Sequence, residues 1–326
     1  MLTPTAAIVT GASSGLGLEA ARQLSERGVA DIVVTARTDA KAQQAAAHLV
    51  ALTGREVFHP LALDLNDHAG VRAAAASLRD SGRTFDYLLL NAGLIAPQGL
   101  QVTADGVELT SAASLTGHHV LLAALLESGL LSSSARIVIA GSEAARGDVP
   151  MMKVTDIAEL AQRQYEGDRV AAADALLRGV RRDGFKSADV YADTKAMTAM
   201  WAAAVSERLP DSMTIMAISP GSTPATDAGR NMNAIMKFVM STVMGRVGKP
   251  FGLAHGIDVG AARYFHPLDV DTSRSGAFLA SRPGKMTGQL VEVDLAHIND
   301  PLTQSAVLEA VESLTGSDYP VAPLSA

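Results

Sequence analysis

The stretch "AAIVTGASSGLG", residues 6–17, sets a short β-branched apolar run directly before a glycine turn that opens an alanine-rich helix. Gly11, Gly15 and Gly17 remove side chains where the backbone must turn sharply, and free amides at a helix start attract an anion. Directly after a first strand, this reads as a pyrophosphate cradle, with Ser13, Ser14 and Leu16 between the glycines. The spacing is Gly-x-x-x-Gly-x-Gly rather than the commoner Gly-x-Gly-x-x-Gly, and a helix-entry turn capped by serines is the plainer alternative.

Working outward, similar apolar runs recur: "DIVVT" at 31, "EVFHPLAL" at 56, "DYLLLN" at 86, "RIVIA" at 136, "MTIMAIS" at 213 and "QLVEV" at 289. Their continuous apolarity predicts strands covered on both faces, and the alanine-rich segments between them supply the crossovers of a parallel sheet. Helices are expected near 15–28, 39–53, 67–82, 103–130, 190–209, 227–247 and 301–315. The fold class is therefore α/β: a doubly wound, Rossmann-type parallel sheet of seven strands with helices on both faces. With no linker or repeat, residues 1–326 read as one dinucleotide-binding domain. Two regions interrupt the alternation: 143–186, a helical insertion, and 222–287, the expected lid over a substrate.

Composition narrows the partners. A formal charge of −7, with basic residues scattered, lacks the footprint of a nucleic-acid or anionic-membrane binder, and a small molecule is expected instead. There is no cysteine, so disulfides, thiolate chemistry and cysteine metal sites are excluded, and the histidines show no metal-ligand spacing. No leader pattern or uninterrupted apolar run of about 18 residues is present, and the expectation is a soluble, cytoplasmic protein.

An open parallel sheet binds its ligand beyond the strands' C-terminal ends. The second strand ends with Ala36 and Arg37, where an acid would accept the ribose hydroxyls of NAD; a guanidinium there can hold a 2′-phosphate, so NADP(H) is the expected cofactor. Asp64 and Leu65 of "ALDLND", and Asn91, Ala92 and Gly93, fall at further strand ends, although an aspartate like Asp64 is more often a loop cap. In "SADVYADTKAM", residues 187–197, Tyr191 and Lys195 stand at i and i+4 on one helical face. A charge about 4 Å from the phenol, at an effective dielectric of about 20, is worth roughly 4 kcal/mol, enough to bring a phenol from about 10 to near 7.

Taken in order, "TGASSGLG", "DL" at 64, "NAG" at 91, a serine after the fifth strand, "YADTK" and "PG" at 220 resemble the short-chain dehydrogenase/reductase family over residues 1–142 and 188–226. The resemblance implies that Tyr191 is the acid/base, that Lys195 also binds the nicotinamide ribose, and that Ser142 hydrogen-bonds the substrate carbonyl. It further implies that Pro220 and Gly221, with Ser222 and either Thr223 or Thr226, form the loop contacting the nicotinamide carboxamide. Members similar to retinol dehydrogenases carry Asn-x-x-Gly-His, whose asparagine holds a relay water near the lysine; aligning Gly117 and His118 puts Ser114 there, the best argument for a weakened member. Ser142 and Tyr191 stand 49 residues apart rather than about a dozen, so the insertion must loop out and return, as in carbonyl reductases and protochlorophyllide reductases. In the carbonyl reductases such an insertion covers an oligomerisation face, so monomer and homodimer both stay open.

The expected activity is hydride transfer between nicotinamide and a carbonyl or secondary alcohol, in the reducing direction. Met232, Met236, Met240 and Met244 suggest an apolar substrate wall, although core packing explains such stripes more often. A protochlorophyllide-type photoreductase is disfavoured, because such enzymes generally use a cysteine. An NADP(H)-binding sensor or scaffold with little catalysis is the alternative from another class.

Overall fold

Along β1 (Ala6–Val9), Ala6 and Ile8 pack to one side of the sheet and Ala7 and Val9 to the other. β4 (Phe85–Leu90), β5 (Leu131–Ala140) and β6 (Thr214–Ile218) divide their side chains in the same way, which is why their sequences are continuously apolar. The computed structural model describes residues 3–79, 81–96, 99–181, 184–223, 254–270 and 274–319. β2 (Asp31–Ala36) and β3 (Phe58–Ala62) extend the sheet beyond β1, while β7 (Phe278–Ser281) and β8 (Leu290–Glu292) extend it beyond β6.

The order is β3-β2-β1-β4-β5-β6-β7-β8, parallel throughout except for the β7–β8 pair. Eight strands replace the seven expected. The run at 289 is not the last parallel strand but the antiparallel edge β8, and the parallel position belongs to "FLAS", too short and small to signal itself. A hairpin suffices between antiparallel strands, so no helix separates the two.

α1 (Gly15–Glu26) and α2 (Asp39–Thr53) cover one face, joined by α9 (Ile257–Ala262) and the 3₁₀ segment Arg263–Leu268. The other face carries α3 (His68–Arg79), α4 (Leu109–Ser111), α5 (Gly117–Glu127), α8 (Ser187–Ser206) and α11 (Pro301–Thr315), the last preceded by the short α10 (Ala296–Asn299). α11 obeys local rules: Asp300 caps its start, Pro301 occupies the first turn, and left-handed Gly316 closes it. The helix expected over 103–130 begins later, because Val102 pairs with Glu108 in an isolated bridge and the Glu108 carboxylate caps α4 through the amides of Thr110 and Ser111. Between α4 and α5, Ala112–Thr116 forms a π-helical turn. The continuous helix Leu109–Glu127 is long and apolar enough to cross a membrane, and its burial in the core accounts for that composition.

The insertion forms the 3₁₀ turn Glu143–Arg146, α6 (Ile157–Gln164) and α7 (Arg169–Leu177). It is not an outlying excursion: Ile157, Ala161, Ala172, Ala173 and Leu176 join the core shared with α8 and α11. α8 holds both its ends. The Asp189 carboxylate accepts from Lys153 N at 2.9 Å, while Asp193 accepts from Thr155 N at 2.6 Å and pairs with Arg181. Asp189 and Asp193 are offset by two residues from Tyr191 and Lys195, about 200° around the helix, so the clasp and the tyrosine–lysine pair occupy opposite faces.

Asp193 is only 2% exposed, so truncating it strands the Arg181 charge in a poorly solvated place. Asp193→Ala is expected to lower the free energy of unfolding by about 3–5 kcal/mol, and Asp189→Ala by about 1 kcal/mol. Urea denaturation checks this, and equal losses for the two variants would contradict the clasp.

Candidate functional site

β1 and β4 pair side by side with Val9 opposite Leu89, and their C-terminal turns meet where the strand order reverses. Thr10 N donates to Leu89 O at 2.9 Å, Asn91 Nδ2 donates to Thr10 O at 3.0 Å, and Ala92 N donates to Thr10 Oγ1 at 3.0 Å. Gly11 and Gly15 have φ of +64° and +60°, the left-handed region that favours glycine. A Cβ on Gly11 would lie 2.9 Å from Ala92 Cα, and one on Gly17 would lie 2.5 Å from both Gly11 O and Asn91 Nδ2. Gly17 therefore serves the close packing of α1 on the turn, a different task from the phosphate approach the sequence suggests.

The amides of Gly11 and Ala12 are engaged by Thr35, whereas those of residues 13–17 meet no acceptor among the described residues. Ser14, the N-cap residue, makes no side-chain cap bond, and Ser13 is exposed. Unsatisfied amides at the positive end of a 12-residue helix suit a pyrophosphate. Beside the turn, Arg37 follows β2 as an exposed side chain without an acidic partner among the described residues, and Ala36 beneath it is buried. These features fit a dinucleotide carrying a 2′-phosphate.

The remaining strand ends behave differently from one another. Asp64 Oδ1 accepts from Asn66 N at 3.1 Å and Asn66 Nδ2 at 3.2 Å, the loop-cap role, while Leu65 is buried against Gly117, where a Cβ would sit 2.3 Å from Leu65 O. Gly93 is exposed and faces inward residues: a Cβ there would lie 3.0 Å from Ser114 Oγ and 3.9 Å from Lys195 Nζ. Ser114 is buried in the π-helical turn with its hydroxyl unpartnered among the described residues. Such turns are frequent at functional sites, because the extra residue redirects the backbone. His118 bridges this turn to the glycine turn: Nδ1 lies 3.3 Å from Ser114 O and Nε2 2.9 Å from Thr10 Oγ1. Burial lowers its pKa to about 3, so it is neutral, and Nδ1–H donating leaves Nε2 to accept from Thr10.

Across the crevice, the Ser142 hydroxyl acts on the Tyr191 phenol, lowering its proton affinity, across an interval of 49 positions. Ser142 caps the 3₁₀ turn, its Oγ accepting from Ala144 N at 3.2 Å. Lys195 is 4% exposed, its Nζ donates to Ala140 O at 2.6 Å, and it lies 5.8 Å from the centre of the Tyr191 ring. The electrostatics differ from the sequence expectation. Desolvation raises the Tyr191 phenol above its ordinary value, the Ser142 hydroxyl opposes this, and the Glu143 carboxylate adds to it. Burial lowers Lys195 to about 8. The ammonium is turned to a strand-end carbonyl, so burial prevails over the attraction that sequence spacing alone suggested.

The loop after β6 is tightly held. Gly221 has φ +77°, its amide donates to Ser219 Oγ at 3.1 Å, and Pro220 O lies 2.6 Å from His255 Nε2. The Ser222 amide donates to Met286 O at 2.8 Å. The Thr223 methyl packs against Gly260, where an added Cβ would lie 2.6 Å from it and 3.1 Å from Leu16 Cδ2. Thr226 and the methionine stripe 232–244 lie outside the described residues. Sequence reading missed Glu143, Arg263, Ser219 and Ser281, a buried cluster beneath this loop.

The family model for short chain dehydrogenases matches residues 5–154. Protochlorophyllide reductase of Chlamydomonas reinhardtii is 31% identical over 237 residues, covering 71% of this chain and 58% of that protein. The chain spans about half the length of the curated relatives it matches. An uncharacterized protein from Mycobacterium Paratuberculosis superposes with a TM-score of 0.67 at 21% identity, covering 97% of this chain and 95% of that one. A short chain dehydrogenase from Burkholderia cenocepacia J2315, solved with NADP, gives 0.57 at 24% identity over 83% of this chain and 94% of its own. Glycine turn, strand-end asparagine, serine and Tyr-x-x-x-Lys stand together at one sheet edge, and with these matches the chain belongs to the short-chain dehydrogenase family.

Proposed function

We propose that the protein is an NADP(H)-dependent oxidoreductase that moves hydride between nicotinamide and a carbonyl or secondary alcohol carbon of a small, largely apolar molecule. The observation that carries this reading is the convergence of Ser142 and Lys195 on the Tyr191 phenol beside the crevice, with Lys195 one turn farther along α8 and its Nζ 5.8 Å from the centre of the Tyr191 ring. When bound, NADPH supplies the hydride to the carbonyl carbon. Ser142 holds the carbonyl oxygen and stabilises the charge that develops there, and the Tyr191 phenol gives it a proton, completing the alcohol. A phenol raised above its ordinary value keeps its proton at neutral pH, which suits the acid of a reduction rather than the base of an oxidation. Lys195, once released from Ala140 O, can reach the nicotinamide ribose, and Ser114 has free lone pairs beside it for returning a proton to the tyrosine.

Arg37 supports the choice of NADP(H), as does the NADP of the Burkholderia neighbour. The likeness to protochlorophyllide reductase does not extend to a photoreductase reading, since the chain has no cysteine. The apolar character of the substrate rests on the methionine-rich sequence at 232–244. α7 and α11 pack over α8, which favours a monomer above a homodimer, and the lack of cysteine suits a reducing cytoplasm. Ser114 at the relay position favours a second reading, a cofactor-binding sensor with little turnover.

Arg37→Ala is expected to weaken NADPH binding about 10- to 100-fold and leave NADH binding unchanged, measured by quenching of Trp201 or by nicotinamide fluorescence. Equal losses for the two nucleotides would contradict the 2′-phosphate role. Tyr191→Phe is expected to retain NADPH affinity while turnover on a panel of apolar ketones falls by about 10²–10⁴. Unchanged turnover would remove the acid assignment, and no turnover by the wild-type protein on any panel member would favour the sensor.

A further inference from the structure

Immediately after Ser142, the chain places an acid in the interior. Glu143 is 3% exposed, and no solvent-facing role explains it. Its Oε2 accepts from Ser219 Oγ at 2.5 Å, and its Oε1 accepts from Ser281 Oγ at 2.9 Å and Ser281 N at 3.2 Å. Arg263, also buried, lies 3.6 Å from Oε1 and donates to Ser219 O at 3.3 Å, to Ser281 Oγ at 3.2 Å and to Gly288 O at 2.5 Å. A buried carboxylate with this many donors is stable only while all of them stay in place, because each lost partner leaves a charge unsolvated.

The partners come from the ends of three neighbouring strands. Gly141 N donates to Ile218 O at 2.8 Å and Ser219 N donates to Leu279 O at 2.8 Å, which sets the loops after β5, β6 and β7 side by side. Ser219 passes the constraint on: while its hydroxyl donates to Glu143, its oxygen accepts from Gly221 N, fixing the left-handed turn after Pro220. On the other side, one peptide bond separates Glu143 from Ser142, and the Ser142 hydroxyl and Glu143 carboxylate both act on the Tyr191 phenol.

We infer that Glu143 is a positioning residue: its buried pairing with Arg263 and Ser219 locks the turn at residues 219–221 in register with Ser142 and Tyr191, so that the nicotinamide end of the cofactor is received beside the phenol. The role rests on the NADP(H) reading above, and it predicts a loss confined to one end of the dinucleotide. Among the described residues, the pyrophosphate cradle at residues 11–17 and Arg37 share no hydrogen bond or ion pair with Glu143, Arg263, Ser219 or Ser281.

Calorimetric titration of the full chain with NADPH and with adenosine 2′,5′-bisphosphate, which keeps the adenosine and the 2′-phosphate but lacks the nicotinamide half, separates the two ends. Glu143→Gln is expected to weaken NADPH binding about tenfold and leave the bisphosphate unchanged. Ser219→Ala removes only a hydroxyl, keeps the ion pair, and is expected to give the same one-sided loss at about threefold; it decides the matter should Glu143→Gln fail to fold. Equal losses for both ligands, or none for NADPH, would overturn the positioning role while leaving the oxidoreductase reading intact. A wild-type protein that binds NADPH no more tightly than the bisphosphate would overturn both, since no nicotinamide site would then exist for Glu143 to position.

Discussion

Burial of charge and of polar groups at the C-terminal edge of one parallel sheet governs this molecule. Lys195, Glu143, Arg263 and Asp193 stand where water is scarce and are held by fixed partners instead, and Tyr191 is half-buried beside them. Two consequences follow. The geometry of the site is rigid, because releasing any one partner strands another group. Its proton equilibria follow desolvation first and neighbouring charges second.

α8 converts this constraint into an arrangement. Its two i, i+4 pairs lie about 200° apart, so that Asp189 and Asp193 clasp the insertion while Tyr191 and Lys195 face the crevice. The long interval between Ser142 and Tyr191 is thereby absorbed on the far side of the helix. The segment starts at the sheet edge, crosses the outer face of α8 and joins the common core. Ser142 stays beside Tyr191 because the insertion is tied to α8 early, at Thr155, and again at Arg181, close to its return.

Local chemistry made much of this legible in the sequence. The glycine turn, the strand alternation and the four-residue spacing of Tyr191 and Lys195 each depend on a few adjacent residues. β7 was not legible, since "FLAS" is short and takes its register from β6 rather than from its own pattern. Glu143 and Arg263 were not legible as partners, because 120 positions and several elements separate them. The proton affinity of Tyr191 was misjudged for a related reason. Spacing reveals that a lysine is near, but neither how deeply the phenol is packed nor that Nζ is held by Ala140 O.

The most direct test of this account is the titration of Tyr191 itself, followed by NMR in cofactor-free protein carrying ¹³C-labelled tyrosine, with Tyr191→Phe used for assignment. Because desolvation raises it, the Tyr191 phenol is expected still to hold its proton at pH 10, where an ordinary tyrosine is half ionised. A phenolate appearing near pH 7 without cofactor would mean that the lysine charge outweighs burial, and would contradict the claim on which the site's chemistry rests.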